Sequence, residues 1–407
     1  MSAGSSEMFL GTSVSRELVG LLIAQTAAYL LTFVIGMTLP VFMESMSAPQ
    51  GFATVPNTAM LLATLVGSHL TSALRAHLRW HAIFAIAGLF PSLAAALALM
   101  ALANNQVVLM TAAAVLYGLV GGATMWLRFA RSASETQLST SRFMAAMTST
   151  GIVAAFAAPM VVSALASEGE RGFAAVHVSA AVFGAVICGS AFLLRTERTQ
   201  DRRTAAREEP AQLEATTAAS FAAPLIAAAI SFAAMGTLMA GTPLTMALCG
   251  FGLDSVADTY RYHLLAMFLP SLMVLPITGK LSSTRMMQLG IGINLCGFLV
   301  GIAGTAESHF VWSMALNGAG WSITLVGASS LVAQLGRRRG LSLWPARFNS
   351  LCVLSNAVGA LSGGALAAMI GWRMTLVCYV TALGTGCIGI FLLERSQPQA
   401  VAKEQAS

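Results

Sequence analysis

The sequence predicts an all-α, polytopic membrane protein with about twelve transmembrane helices in two six-helix halves. Hydrophobic residues make up 57% of the 407 residues, whereas charged residues make up only 9%. Soluble domains carry roughly 25% charged residues, so a soluble fold of this length could not cover its surface with so few. A bilayer removes that conflict, because an apolar exterior is then favourable.

Twelve apolar stretches are long enough to cross a bilayer, which takes about 20 helical residues. The predicted spans lie near residues 18–39, 53–74, 81–102, 106–127, 143–165, 174–194, 218–240, 259–279, 286–306, 311–335, 348–370 and 374–393. The polar segment 195–217 is predicted to be a cytoplasmic linker between an N-terminal half, 1–194, and a C-terminal half, 218–395. Residues 396–407 form a polar tail. The first apolar run is longer than a signal-peptide core of roughly 7–15 residues, so we expect it to remain as a span.

The basic residues predict the orientation of the chain. With the N-terminus inside, 19 of the 22 Lys and Arg residues fall on the inner side, and the exceptions are Arg171, Arg261 and Arg373. This asymmetry is typical of cytoplasmic loops. We therefore predict a bacterial inner-membrane protein with both termini in the cytoplasm. The net charge of +6 is explained by this distribution, and no nucleic-acid partner is expected.

The sequence lacks the residues that several other classes of protein function require. No Gly-x-x-x-x-Gly-Lys-[Ser/Thr] loop is present, which argues against ATP-driven transport. The six cysteines stand singly without a Cys-x-x-Cys pair, so neither a metal site nor a disulfide framework is indicated. An intramembrane enzyme would need reactive side chains clustered at depth, and none are apparent. We predict no enzymatic activity and no cofactor. A passive channel or a membrane sensor stays as an alternative class.

Two loops carry a family pattern in altered form. Residues 279–285, Gly-Lys-Leu-Ser-Ser-Thr-Arg, resemble the Gly-x-Leu-x-Asp-x-x-Gly-Arg loop signature of the major facilitator superfamily, with Ser283 in place of Asp. The corresponding first-half loop keeps Arg75 and Arg79 near Gly67 but also lacks the Asp. The resemblance implies the major facilitator fold, with two six-helix halves. In the family these loops join helix ends through a charge relay, and both loops here lack its Asp.

Further stretches bear on the direction of transport. The fifth span contains Gly151 and Ala157-Ala158-Pro159, which resemble the exporter-associated Gly-Pro motif of the superfamily. Residues 242–246, 262–271 and 318–321 resemble a bacterial branch of its members. The resemblance implies a secondary transporter that works by alternating access, with export as the expected direction and antiport with protons as the expected coupling. An importer or siderophore-type permease of the same fold is the alternative, and we expect a monomer.

The resemblance also implies a substrate cavity lined by the first, fourth, seventh and tenth spans, near the bilayer midplane. Each of these spans has polar, aromatic or methionine side chains on one helical face. They suit a small amphipathic organic molecule, although such residues also serve as hydrogen bonds between helices. The candidates are Gln25, Tyr29 and Thr32; Tyr117 and Thr124; Met235, Met239 and Thr242; and Asn317, Trp321 and Thr324.

Ionisable side chains at membrane depth are candidates for proton coupling. His263 lies about a turn inside the eighth span, and histidine titrates near physiological pH. Arg261 lies two residues before it, and Glu44 follows the first span. A histidine that only forms a hydrogen bond at the rim is the alternative for His263. His177, near the outer end of the sixth span, is predicted to be a rim or packing residue.

Overall fold

The computed structural model is α-helical throughout the part of the chain that it describes, which comprises residues 4–46, 52–75, 77–127, 137–166, 170–194, 215–274, 281–338 and 344–396. Its helices are α1 (Gly4–Ser45), α2 (Val55–Leu74), α3 (Trp80–Ala87), α4 (Phe90–Asn104), α5 (Val107–Thr124), α6 (Gln137–Ala166), α7 (Glu170–Ala191), α8 (Ala215–Leu248), α9 (Leu253–Val274), α10 (Ser283–Ala303), α11 (Glu307–Arg338), α12 (Trp344–Ile370) and α13 (Trp372–Ser396). Three predicted features lie wholly or mostly outside these ranges: the linker, the tail except Ser396, and Arg128, the basic residue that follows the fourth predicted span.

Most of each predicted span is helical, and residues 275–279 of the eighth lie outside the described residues. Within the described residues, eight stretches are long and apolar enough to cross a membrane. The third predicted span is divided into α3 and α4 by a turn at Gly88 and Leu89. Pro91 stands in the first turn of α4, a position that suits proline because its missing N–H would have no helical partner there.

The chain divides into two compact units. Unit 1 comprises Met1–Ala48 and Val55–Arg207, and unit 2 comprises Pro49–Thr54 and Glu208–Ser407. The boundary falls within the polar segment 195–217. In unit 1, α2 packs along α5, while α1 packs against α6 and α7. In unit 2, α8 packs on α12, and α11 packs on both α9 and α10.

Glycines allow the closest helix contacts, as in other membrane helix pairs. A Cβ atom at Gly118 of α5 would collide with the carbonyl oxygen of Met60 in α2. In unit 2, a Cβ atom at Gly359 of α12 would collide with the carbonyl oxygen of Ala233 in α8. The two backbones therefore touch at each of these places.

Aromatic side chains contact the first-half loop, which carries Arg75 and Arg79 of the altered family pattern. The guanidinium carbon of Arg75 lies 4.7 Å from the ring centroid of Trp80, within the range of a cation–π contact. Trp80 also packs on Trp126, whose Nε1 donates to the carbonyl oxygen of Ser68 over 3.1 Å. Of the second-half loop, Gly279 and Lys280 lie outside the described residues, while Ser283 begins α10.

Candidate functional site

A chain of three buried polar side chains crosses unit 2 between α8, α10 and α11. Nδ2 of Asn317 donates to Oδ1 of Asn294 over 2.8 Å, and Nδ2 of Asn294 donates to Oγ of Ser231 over 3.1 Å. All three side chains are buried. Oδ1 of Asn317 has no hydrogen-bond partner. The network therefore orients the Asn317 amide and leaves one strong acceptor unsatisfied.

Trp321 lies one helical turn after Asn317 on the same face of α11. Its ring meets the ring of Phe232 in α8 edge to face, with a centroid distance of 5.2 Å. Its Nε1 atom is buried and has no hydrogen-bond partner. An unsatisfied acceptor and an unsatisfied donor thus lie one turn apart beside α8.

The other predicted residues of unit 2 have different surroundings. Met235 and Thr242 are buried in α8, and Met239 is half-buried. The Met239 carbonyl oxygen accepts a hydrogen bond from the Tyr260 hydroxyl. The Thr324 hydroxyl donates to the Gly320 carbonyl within α11 over 2.8 Å.

His263 is held in the interior of unit 2. Its Nδ1 lies 2.7 Å from the carbonyl oxygen of Met314 in α11. A carbonyl oxygen only accepts, so Nδ1 carries the proton of this bond and Nε2 is the remaining acceptor. Nε2 is buried and has no partner. His263 is fully buried within unit 2.

The ring of His263 can approach α11 because Gly318 has no side chain. A Cβ atom there would lie 2.5 Å from the His263 carbonyl oxygen and 3.1 Å from its Nδ1. Gly318 is four residues after Met314, so its N–H points to the carbonyl that His263 also uses. One turn of α11, from Met314 to Gly318, therefore forms the surface on which the His263 ring packs.

The three predicted proton-coupling residues differ in their surroundings. Arg261 forms an ion pair with Asp258, one turn earlier on α9, at 2.8 Å between Nη1 and Oδ1. Both side chains are partly exposed. Glu44 is exposed near the end of α1. His263 is the buried member of the three.

In unit 1, Tyr117 points at the sixth predicted span. Its hydroxyl lies 3.1 Å from Nδ1 of His177 in α7, and the two rings are stacked. Phe42 of α1 also contacts the His177 ring, with centroids 5.1 Å apart. His177 is fully buried. The hydroxyl of Tyr117 is therefore engaged within unit 1.

The remaining predicted residues of unit 1 lie on α1 and α5. Gln25 is buried, while Tyr29 is half-buried and stacks on Phe33 at 5.6 Å. Thr32 is exposed, and its hydroxyl donates to the Ala28 carbonyl in the preceding turn. The buried hydroxyl of Thr124 donates to carbonyl groups of its own helix. The structure joins none of these side chains in a direct hydrogen bond with Tyr117.

Sequence reasoning missed two residues that organise these sites. Asn294 lies in the middle of the ninth span, which was not expected to line a cavity, and yet it fixes Asn317. His177 was predicted to be a rim or packing residue; the structure packs its ring against Tyr117 and Phe42, and the hydrogen bond with Tyr117 is what the sequence did not show. A polar side chain at membrane depth was the available signal in both cases.

Comparison with known proteins finds transporters. The riboflavin transporter RfnT of Brucella anthropi is 25% identical over 285 residues, which cover 68% of this chain and 70% of RfnT. A POT family transporter, solved with a thioalcohol-conjugated peptide, superposes with a TM-score of 0.70 at 10% identity, covering 94% of this chain and 96% of its own. The nucleoside transporter NupG superposes with a TM-score of 0.69 at 12% identity, covering 92% and 98%. No protein-family model matches the chain.

These findings confirm the predicted fold. The chain is a multi-pass membrane protein with the major facilitator fold. Its relative and its structural neighbours are transporters rather than enzymes.

Proposed function

We propose that this protein is a secondary transporter that moves a small amphipathic molecule with a flat heteroaromatic ring across the cytoplasmic membrane by alternating access. The observation that carries the proposal is the pair of unsatisfied polar atoms on α11, Oδ1 of Asn317 and Nε1 of Trp321. A buried polar atom without a partner costs about 1–3 kcal/mol. A bound substrate that supplies both partners would recover that cost, and the adjacent aromatic rings would pack on its apolar faces.

Riboflavin is the substrate to test first. It combines a flat three-ring system with polar edges and a hydroxylated chain, which agrees with the amphipathic substrate predicted from the sequence. The similarity to a riboflavin transporter supports the same choice.

The first experiment is counterflow in proteoliposomes. Purified protein is reconstituted, the vesicles are loaded with unlabelled riboflavin, and entry of labelled riboflavin is followed. A transporter gives saturable entry that internal riboflavin accelerates. Saturable entry without acceleration would argue against alternating access, and flux proportional to concentration would favour a channel. Failure of riboflavin to compete or exchange would reject this substrate.

We propose His263 as the proton-coupling residue. It is buried, its ring is oriented by the Met314 carbonyl, and Nε2 is free to accept a second proton. Arg261 and Glu44 remain secondary candidates, because each is partly or fully accessible to solvent. Replacing His263 with glutamine should abolish accumulation driven by a proton gradient and preserve counterflow, which needs no gradient.

Two controls sharpen the test of coupling. Glu44→Gln removes an exposed carboxyl group, and Arg261→Ala removes a partly exposed ion pair. Both variants should keep gradient-driven accumulation if His263 is the carrier. Full gradient-driven activity in His263→Gln would reject the assignment, and loss in Glu44→Gln alone would transfer it to Glu44.

We propose export as the direction, in line with the small residues around Pro159 in the fifth predicted span. Uptake by the same fold is the alternative, since direction depends on coupling and gradients. Cells that overproduce the protein separate the two. Lower riboflavin accumulation that a protonophore reverses supports export, whereas energy-dependent higher accumulation supports uptake.

The predicted substrate-binding residues of unit 1 differ in how available their polar groups are to a substrate. Gln25 and Tyr29 are the substitutions to make first there, because both lie on the same face of α1 in the middle of the span. The hydroxyl of Tyr117 already has His177 as a partner, so we expect it to act on the substrate only through its ring. Thr32 and Thr124 bond to carbonyl groups of their own helices, which leaves their hydroxyl protons engaged.

A further inference from the structure

We propose that Asn317 and Trp321 recognise the imide edge of the substrate ring, with Asn294 as the residue that positions Asn317. The inference rests on the proposed function and specifies its chemistry. An imide edge presents an N–H group flanked by two carbonyl groups. The acceptor Oδ1 of Asn317 suits the N–H, and the donor Nε1 of Trp321 suits a neighbouring carbonyl.

The orientation of the Asn317 amide is the first support for this assignment. Its Nδ2 donates to Oδ1 of Asn294. Asn294 is itself held, because its Nδ2 donates to Oγ of Ser231. The amide of Asn317 is thereby fixed by a partner on α10 that is fixed in turn by α8. Its unsatisfied atom in this arrangement is an acceptor.

The spacing of the two unsatisfied atoms is the second support. Residues four apart on a helix have Cβ atoms about 5–6 Å apart on one face. Side chains at this spacing can bond to adjacent groups on one ring edge. Phe232 meets the Trp321 ring edge to face, so the indole is held by packing while its N–H has no partner.

The arrangement also predicts discrimination. A site that is built to bond a substrate N–H discriminates strongly against an analogue without it, because the buried acceptor is left unpaired. Methylation of the imide nitrogen of riboflavin removes the N–H and adds bulk at the same place. The oxygen of Asn317 would then face a methyl group.

The test compares riboflavin with its imide-N-methyl analogue in proteoliposome counterflow. Wild-type protein should show a KM for the methylated analogue at least ~10-fold higher, as expected for loss of one buried hydrogen bond. Asn317→Ala should bring the two KM values close together. Asn317→Asp replaces the Nδ2 donor to Asn294 with an oxygen, so it should lower the preference for riboflavin as well.

Substitutions at Trp321 and Asn294 should change the two KM values in different ways. Trp321→Phe keeps the ring and removes the donor, so both KM values should rise about tenfold and their ratio should persist. Asn294→Ala frees the amide of Asn317 to rotate, so the ratio should fall. A purely structural defect would lower the amount of active transporter without changing the ratio.

Ser313→Ala is the matched control. Ser313 lies on α11 one turn before Asn317, is buried, and also has an unpartnered oxygen. That oxygen is directed at Gly301 of α10, where an added Cβ would be 2.9 Å away. This variant should keep both KM values and their ratio.

The outcomes distinguish the inference from the function on which it rests. Wild-type exchange of riboflavin and the methylated analogue with equal KM would overturn imide recognition and leave the transport function in place. Absence of riboflavin exchange by the wild type would overturn both. A preserved ratio in Asn317→Ala would overturn the role of Asn317.

Discussion

Replacing Gly318 with alanine tests how closely His263 of α9 packs against α11. The added Cβ would lie 2.5 Å from the His263 carbonyl oxygen, 3.1 Å from Nδ1 of the same residue and 3.2 Å from Cγ of Met267. Ordinary van der Waals contact begins near 3.4 Å. Because the closest atom belongs to the backbone, α9 must retreat from α11 by about 0.9 Å to relieve the contact, and side-chain rotation cannot help.

The expected cost has two parts. Overpacking of a tight interface costs about 1–3 kcal/mol. The same retreat would lengthen the 2.7 Å bond between His263 and the Met314 carbonyl to about 3.6 Å, beyond hydrogen-bonding distance. Loss of a hydrogen bond between membrane helices costs about 0.6–1.7 kcal/mol. We therefore expect a destabilisation of about 2–5 kcal/mol.

The assay is thermal unfolding of the detergent-solubilised protein, followed by size-exclusion chromatography of the heated sample. Gly292→Ala is the matched control, since Gly292 lies within α10 of the same unit and an added Cβ there meets no atom within 4 Å. Gly318→Ala should unfold several degrees below this control and should also lose gradient-driven transport. Equal unfolding temperatures for the two variants would refute the close packing of α9 on α11.

Three further substitutions test separate contacts by the same thermal assay. Tyr117→Phe keeps the ring and removes the hydroxyl that contacts His177, so it should destabilise the protein by about 0.6–1.7 kcal/mol; no change would contradict a buried bond there. Arg261→Ala breaks a partly exposed ion pair with Asp258 and should change stability by no more than about 1 kcal/mol; a larger loss would show that the pair is buried in the membrane-embedded protein. Trp126→Phe keeps the aromatic packing but removes an N–H donated to α2, and should cost about 1 kcal/mol; unchanged stability would show that this bond is not formed.

The sequence predicted the helices well because bilayer insertion depends on a property that is local to each stretch. About twenty apolar residues with few charges identify a transmembrane helix whatever the rest of the fold is. The division of the third span was missed because hydropathy alone was read there, although Pro91 has no N–H to donate to the Ala87 carbonyl and so favours a break at Gly88 and Leu89. A Cβ at Gly88 would lie 2.8 Å from Cβ of Cys188 in α7, a contact that no periodicity could reveal.

The candidate site could be predicted only in part. Helical spacing placed Asn317 and Trp321 on one face, and the structure agrees that they are neighbours along α11. Spacing could not show that the partner of Asn317 would be Asn294, because that pairing depends on how α10 and α11 are aligned. Tyr117 was predicted to line the cavity, and the sequence could not show that its hydroxyl lies beside His177, which is 60 residues away in the chain.

The two proposed roles meet in one turn of α11. Met314 supplies the carbonyl that orients His263, and Asn317, three residues later, supplies the acceptor proposed for the substrate. A proton on Nε2 of His263 would place a charge beside this turn, where an apolar environment strengthens its effect on nearby dipoles. Any movement of α9 that brings the charged ring into a more polar environment also changes the packing between α9 and α11. Coupling between proton and substrate would then require no long pathway, only two arrangements of adjacent helices whose balance both ligands affect.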